Sequence, residues 1–263
     1  MLTTQYVPGS PNWLDLGSPD TTASENFYTG LFGWTFASAG PEAGGYGFFQ
    51  QDGRTVAALG PLTEDGAEPA WTIYFTSTDA DRTTALVEGG GGKVRVAPFD
   101  IFTNGRMAGF TDPTGAEFAI WQPGDTRGLD AVTAPGTLCW TECYSTDAEA
   151  AKAFYRAVFG WQEQDVPFDA GTYTVVTPAG GGTGDGQGGI MQLGPEQTAA
   201  GTTSHWLPYF EVPDTDATVA KAEKLGATVR LPAMDMHGVG RFAQLVDPHG
   251  AVFAVITSAA PGE

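Results

Sequence analysis

The chain's 263 residues carry 31 acidic against 12 basic side chains, a net charge of −19, with 41% hydrophobic and 12% aromatic residues. That length suits two domains of ordinary size, and that apolar content supports packed cores and excludes a disordered chain. A surface this negative repels nucleic-acid phosphates and anionic membranes, which leaves a small cationic molecule or a basic protein as partner, or a charge that serves only to keep the protein in solution.

No basic start with a long apolar stretch suggests a secretory signal, and no apolar run approaches the roughly 20 residues of a membrane helix. Cys139 and Cys143 sit four residues apart in one expected strand. Their Cα atoms would be roughly 13 Å apart, too far for a bridge. A reduced, cytoplasmic protein is expected.

Along the chain, an alternating strand over about 12–17 leads to a helix opening near Asp20, with apolar Phe27 and Leu31 at helical spacing. Three short strands follow, separated by glycine-rich turns. A second strand begins at Trp71, a second helix is capped by Asp79, and three more strands close the set. From Gln122 to Gly136, two prolines and three glycines mark a linker. The pattern then restarts with a strand over 138–144 and a helix opening near Asp147, where Thr146 and Glu149 have capping-box spacing. Phe154 and Val158 repeat the helical spacing. The last set begins at Trp206, with Asp214 as N-cap. The rhythm is βαβββ, four times.

The letters repeat as well as the rhythm. "FYTGLFGW" at 27–34 returns as "FYRAVFGW" at 154–161, and Trp13, Asp15 and Asp20 align with Trp140, Glu142 and Asp147. The block from Ala70 to Trp121 lies over His205 to Ile256 without a gap, and "AGGGTGDGQGG" at 179–189 accounts for the greater length of the second copy. A repeat this long means duplicated domains, expected at 8–124 and 136–258 with a linker at 125–135.

The phrase ending "FY..LFGW" and the closing "DPxGxxF" of each copy (Asp112–Phe118, Asp247–Phe253) resemble the vicinal-oxygen-chelate superfamily. That group holds glyoxalase I, extradiol dioxygenases and bleomycin-resistance proteins. The sequence looks most like two-domain, glyoxalase-like proteins of high-GC bacteria, some of which serve antibiotic pathways as accessory or hydroxylase-labelled proteins. The resemblance implies an α+β fold in which tandem βαβββ units form two cup-shaped mixed sheets, helices outside and ligand inside.

It also implies where a divalent metal would bind. Ligands would come from the first, fifth and eighth strands, where this sequence has Trp13 and Trp140, Thr72 and Leu207 (or their neighbours Ile73 and Pro208), and Ala119 and Ala254. None is a His, carboxylate or thiolate. A relocated site using His205 and Glu211 has suitable chemistry but too few ligands. No metal and no cofactor are therefore expected. Without a Lewis acid, binding is favoured over turnover.

Strand alternation puts Trp13, Asp15, Trp140 and Glu142 on the inward face and both cysteines on the helix-covered one. Tyr74, Thr76, Tyr209 and Glu211 face inward from the fifth strands, with His205 at the rim. Trp121 and Glu117 share the face of Ala119. Met236 and His237 fall in a loop that would overhang a cup. Aromatic rings beside carboxylates suit an aromatic, cationic ligand, as in bleomycin-resistance proteins. Equally, a tryptophan shared by both copies would serve only to close the cup. Arg106 with Asp100 and Arg241 with Asp235 read first as matched scaffold ion pairs. Gly184, Gly186 and Gly189 spell GxGxxG, but a strand follows where a phosphate cradle needs a helix. "GGGGK" at 89–93 is likewise a connector, and the 180–189 loop is a candidate lid.

The expected function is metal-free binding of an aromatic, cationic small molecule, such as an antibiotic or its biosynthetic intermediate, by a monomer or homodimer. The alternative is an enzyme, either a glyoxalase-like lyase or isomerase or a cofactor-independent hydroxylase or oxygenase. It would draw acid–base chemistry from Glu142, Glu211 or His205. A third reading is an inert interaction module.

Overall fold

The computed structural model describes residues 1–64, 66–168, 171–182 and 184–259. The first copy runs β1 (Pro11–Ser18), α1 (Thr21–Phe32), β2 (Thr35–Ser38), β3 (Gly47–Gln51), β4 (Arg54–Pro61), β5 (Ala70–Thr76), α2 (Ala80–Gly89), β6 (Lys93–Ile101), β7 (Gly105–Thr111) and β8 (Glu117–Pro123). The second runs β9 (Leu138–Ser145), α3 (Ala148–Phe159), β10 (Gln162–Phe168), β11 (Gly171–Thr177), β12 (Gly188–Gln192), α4 (Pro195–Ala199), β13 (His205–Glu211), α5 (Thr215–Lys224), β14 (Thr228–Met236), β15 (Gly240–Val246) and β16 (Val252–Ser258).

Local chemistry sets the helix ends. The carboxylates of Asp20, Asp79, Asp147 and Asp214 each accept the backbone N–H three residues on, at 2.9–3.0 Å. This satisfies a donor that a helix start leaves orphaned. In α3 the cap is Asp147 and not the Thr146–Glu149 box: the Thr146 N–H goes to Ser204 Oγ, and Glu149 pairs with Lys152. Gly33 and Gly160 end α1 and α3 in the left-handed region, at φ 76° and 70°. That conformation favours glycine and turns the chain into the next strand.

Two mixed eight-stranded sheets result, ordered β2-β3-β4-β1-β5-β8-β7-β6 and β10-β11-β12-β9-β13-β16-β15-β14, with the helices outside. β1 runs parallel to β4 and β5 to β8, as β9 does to β12 and β13 to β16. The α+β fold of four βαβββ units is the one the repeat implied.

Packing gathers the chain into two compact units, and each takes half of either copy. One holds Met1–Trp13, Thr72–Gly128 and Trp140–Leu207; the other holds Leu14–Trp71, Leu129–Cys139 and the chain from Pro208 on. In the first unit, the Tyr155 hydroxyl donates to Asp112 Oδ2 at 2.9 Å and accepts the Trp206 indole N–H at 2.7 Å. Phe75 packs beside them on Trp206 and Phe118. In the second unit, Tyr28 donates to Asp247 Oδ2 at 3.0 Å and accepts from Trp71 at 3.0 Å, beside Phe210. The tyrosine of each "FY" phrase thus bonds the aspartate of the other copy's "DPxG" turn. Burial, and secondarily the carboxylate, push both tyrosines well above their ordinary pKa.

A second reciprocal contact involves the segments before β1 and β9. "LTTQYVPG" at 2–9 matches "LDAVTAPG" at 129–136. Leu2 and Leu129 are both buried. Within the first unit, the Gly9 carbonyl accepts the Trp161 indole N–H at 2.9 Å. Within the second, the Gly136 carbonyl accepts from Trp34 at 2.8 Å. The final tryptophan of each repeated phrase therefore pins the segment that precedes the other copy.

Candidate functional site

On β1, Trp13 stacks on Trp121 with ring centroids 6.4 Å apart and planes 24° apart. Trp121 donates its indole N–H to the Thr126 carbonyl at 2.8 Å. Tyr74, in register with Ala119, is also buried. Two residues past Trp13, the half-buried Asp15 carboxylate accepts a hydrogen bond from the Tyr46 hydroxyl at 3.0 Å. Tyr46 immediately precedes β3 and meets Phe48 edge-on, 5.9 Å away.

The second copy repeats the pairing in a tighter form. Trp140 donates its indole N–H to the Tyr173 hydroxyl at 2.8 Å, and the Glu142 carboxylate lies close enough to that hydroxyl to act on its ionisation. Only 6% of Glu142 is exposed. Tyr173 keeps part of its ring exposed, but its hydroxyl is enclosed. Burial, followed by the Glu142 charge, pushes its pKa well above the ordinary value. A methyl group at Gly189 would overlap the Tyr173 hydroxyl, and one at Gly186 would press on the Trp140 ring at 3.1 Å. Gly186 and Gly189 of the GxGxxG string thus make room for aromatic side chains.

Tyr46 and Tyr173 escaped the sequence reading. They lie 127 positions apart, the same offset that relates the two "FGW" phrases. A tyrosine kept by both copies at that offset was the available signal.

The other candidates have partners of their own. His205 stacks on the buried Tyr144 at 5.2 Å with planes 11° apart, and its Nδ1 bonds the Thr203 carbonyl at 2.8 Å. Tyr209 packs on Phe242. Glu211 accepts the Ser258 N–H at 3.0 Å and the Ser258 hydroxyl at 2.5 Å. The Cys139 thiol bonds the Tyr209 carbonyl at 3.3 Å and lies close enough to feel the Glu211 carboxylate. Burial and that charge raise its pKa, as burial with Asp112 and Glu142 raises that of Cys143. Both cysteines are buried thiols.

Met236 ends β14 and His237 stands in the turn before β15. With Asp235, Arg241 and Ser258 they line an open depression of about 510 Å³. Arg241 bridges Asp216 at 2.8 Å and Asp235 at 3.0 Å, and Arg106 bridges Asp81 at 3.1 Å and Asp100 at 3.0 Å. Both arginines tie a helix start to a hairpin in the same way.

Among the described residues, no group of three or more His, Cys, Asp or Glu is placed to hold a metal ion. Trp13, Ala119, Trp140 and Ala254 offer no ligand atom for a divalent cation, so the residues present do not fit the metal of the family's enzymes. Among the described residues, no helix is long and apolar enough to cross a membrane.

Residues 10–120 match the model of the Glyoxalase/Bleomycin resistance protein/Dioxygenase superfamily, and residues 140–256 match that of a Glyoxalase-like domain. The chain is 41% identical to the anthracycline biosynthesis protein DauV of Streptomyces sp. (strain C5), over 96% of this chain and 94% of DauV. It is 39% identical, over 97% of both chains, to CFP32 of Mycobacterium tuberculosis (strain CDC 1551 / Oshkosh), which is provisionally named a glyoxylase. The Mn(II)-bound glyoxalase from Novosphingobium aromaticivorans shares the fold at a TM-score of 0.61 and 18% identity, over 95% of this chain and 82% of its own. The chain belongs to the glyoxalase/bleomycin resistance protein/dioxygenase superfamily.

Proposed function

We propose that the protein binds a small aromatic molecule carrying a positive charge, without a metal, and serves an antibiotic pathway of the anthracycline type by sequestering or presenting that molecule. The observation that carries this reading is the half-buried carboxylate of Asp15 held by the Tyr46 hydroxyl at 3.0 Å, two residues past Trp13 on the first strand. A ring surface gives stacking and a cation–π contribution of about 0.5–2 kcal/mol. A carboxylate oriented by a tyrosine hydroxyl adds a charge-assisted hydrogen bond worth about 1.5–3 kcal/mol. The net charge of −19 draws a cation toward the surface. The name of the Streptomyces relative supports the ligand class, since an anthracycline joins a fused aromatic system to an amino sugar.

Calorimetric titration with daunorubicin, and with its aglycone lacking the amine, tests this. Daunorubicin is expected to quench tryptophan fluorescence and to bind about tenfold more tightly than the aglycone, a difference of about 1.4 kcal/mol. Equal affinities, or no binding of either, would sink the proposal. The name of the mycobacterial relative favours a glyoxalase-like lyase instead. Turnover of an α-ketoaldehyde by protein holding stoichiometric metal would establish that reading in place of binding.

A further inference from the structure

We infer that the duplicated acid–tyrosine pair has diverged into one receiving site and one closed one: Asp15 and Tyr46 take the ligand's cationic group, while Glu142, Tyr173 and Trp140 form a closed cluster. This rests on the reading of the protein as a binder of aromatic cations.

The two pairs start from the same strand positions. Asp15 lies in register with Ala58 on β4, and Glu142 with Gly189 on β12. Phe48 pairs with Ala58, as Val175 does with Gly189. Tyr46 and Tyr173 each stand two residues before those partners, so both rings cross the same stretch of neighbouring strand. What differs is where that strand is bare. The second copy has Gly189 and then Met191; the first has Ala58 and then Gly60. The glycine has moved by two residues, which is one step along the same face of a strand.

The tyrosines lean accordingly. In the second copy the Tyr173 hydroxyl settles over Gly189, where a methyl group would overlap it. There it accepts the Trp140 N–H at 2.8 Å beside the Glu142 carboxylate, so a lone pair is engaged. In the first copy the buried Ala58 methyl fills that place. Tyr46 lies over Gly60 instead, its ring carbon 2.8 Å from where a Cβ would stand. Asp15 and Tyr46 both remain half-buried, against 6% exposure for Glu142. The Asp15 carboxylate is therefore partly open to solvent, and Glu142 is almost wholly covered.

Titrations with daunorubicin and its aglycone decide the matter. One daunorubicin per chain is expected. Asp15→Asn or Tyr46→Phe should weaken daunorubicin about tenfold and leave the aglycone within about twofold. Tyr173→Phe and Glu142→Gln should lower thermal stability and leave both affinities within about twofold. The double change Ala58→Gly with Gly60→Met imports the second copy's arrangement, and should erase the preference for the amine while Asp15 and Tyr46 stay intact. Two amine-dependent sites per chain, or loss of the preference in Glu142→Gln but not in Asp15→Asn, would overturn the assignment and leave the binding reading standing. A wild-type protein indifferent to the amine would instead refute the binding reading itself.

Discussion

The Asp15–Tyr46 and Glu142–Tyr173 pairs are the same device in two states of packing. Each sets a first-strand carboxylate against a tyrosine hydroxyl. In one, the hydroxyl meets its acid at a half-buried position. In the other, the hydroxyl accepts an indole N–H at 2.8 Å and the acid is almost wholly covered. The difference goes with the placement of one glycine on the neighbouring strand: Gly60 in the first copy, and Gly189, the equivalent of Ala58, in the second. Burial, and not residue identity, then decides how much each bond matters, because a buried group that loses its partner bears the full desolvation cost.

The sharpest way to break this contrast is Gly189→Ala. The added methyl must push Tyr173 aside, breaking its bond to Trp140 and moving it from Glu142. We expect a loss of about 3 kcal/mol in urea denaturation. Gly60→Ala meets only a ring edge at 2.8 Å and should cost about 1 kcal/mol. Equal losses would mean the two packings are not different in kind. Next in size, Tyr173→Phe should cost about 2 kcal/mol by leaving a buried indole N–H and a buried carboxylate without that hydroxyl, and Tyr46→Phe under about 1 kcal/mol. Alkaline titration sharpens the contrast further. The hydroxyls of Tyr28, Tyr155 and Tyr173 have raised folded-state pKa values. Their stabilisation is fully present below the unfolded value of about 10 and is lost as pH rises through the folded values. Stability should stay level from about pH 7 to 8, begin to fall near the unfolded thiol value of about 8.5 because Cys139 and Cys143 are raised as well, and fall more steeply above about pH 10, with Tyr28, Tyr155 and Tyr173 ionising only as the protein unfolds; their ionisation well before unfolding would contradict this. The smallest effect belongs to positions where the copies agree. Arg106→Met and Arg241→Met remove exposed bridges, so neither should move the melting temperature measurably.

Much of the fold was legible because it rests on local chemistry and repetition. Four aspartate caps and two left-handed glycines could be read one residue at a time, and the duplication announced four equal units. The matched Arg–Asp pairs were legible too, though their third members, Asp81 and Asp216, were not. What escaped depends on contacts distant in sequence. Nothing in "FY" or "DPxG" says that Tyr28 will bond Asp247 or that Tyr155 will bond Asp112. The tyrosine partners of Asp15 and Glu142 were hidden because they approach from a neighbouring strand, where alternation within a single strand says nothing. The glycine string at 184–189 was readable as a connector, but its use as clearance for Trp140 and Tyr173 needs the rings in place.

The exchange of halves between the two compact units bears on how the gene could be cut. A fragment ending in the linker would carry Tyr28 without Asp247 and Asp112 without Tyr155. Each unit would then exist only as an unpartnered half, with Phe75, Phe118, Phe32 and Trp34 bared to water. Two such fragments made separately should aggregate, yet made together they carry every group needed to rebuild both cores. Reassembly of the two fragments would be read by the burial of Trp34 and Trp161, whose indoles bond Gly136 and Gly9.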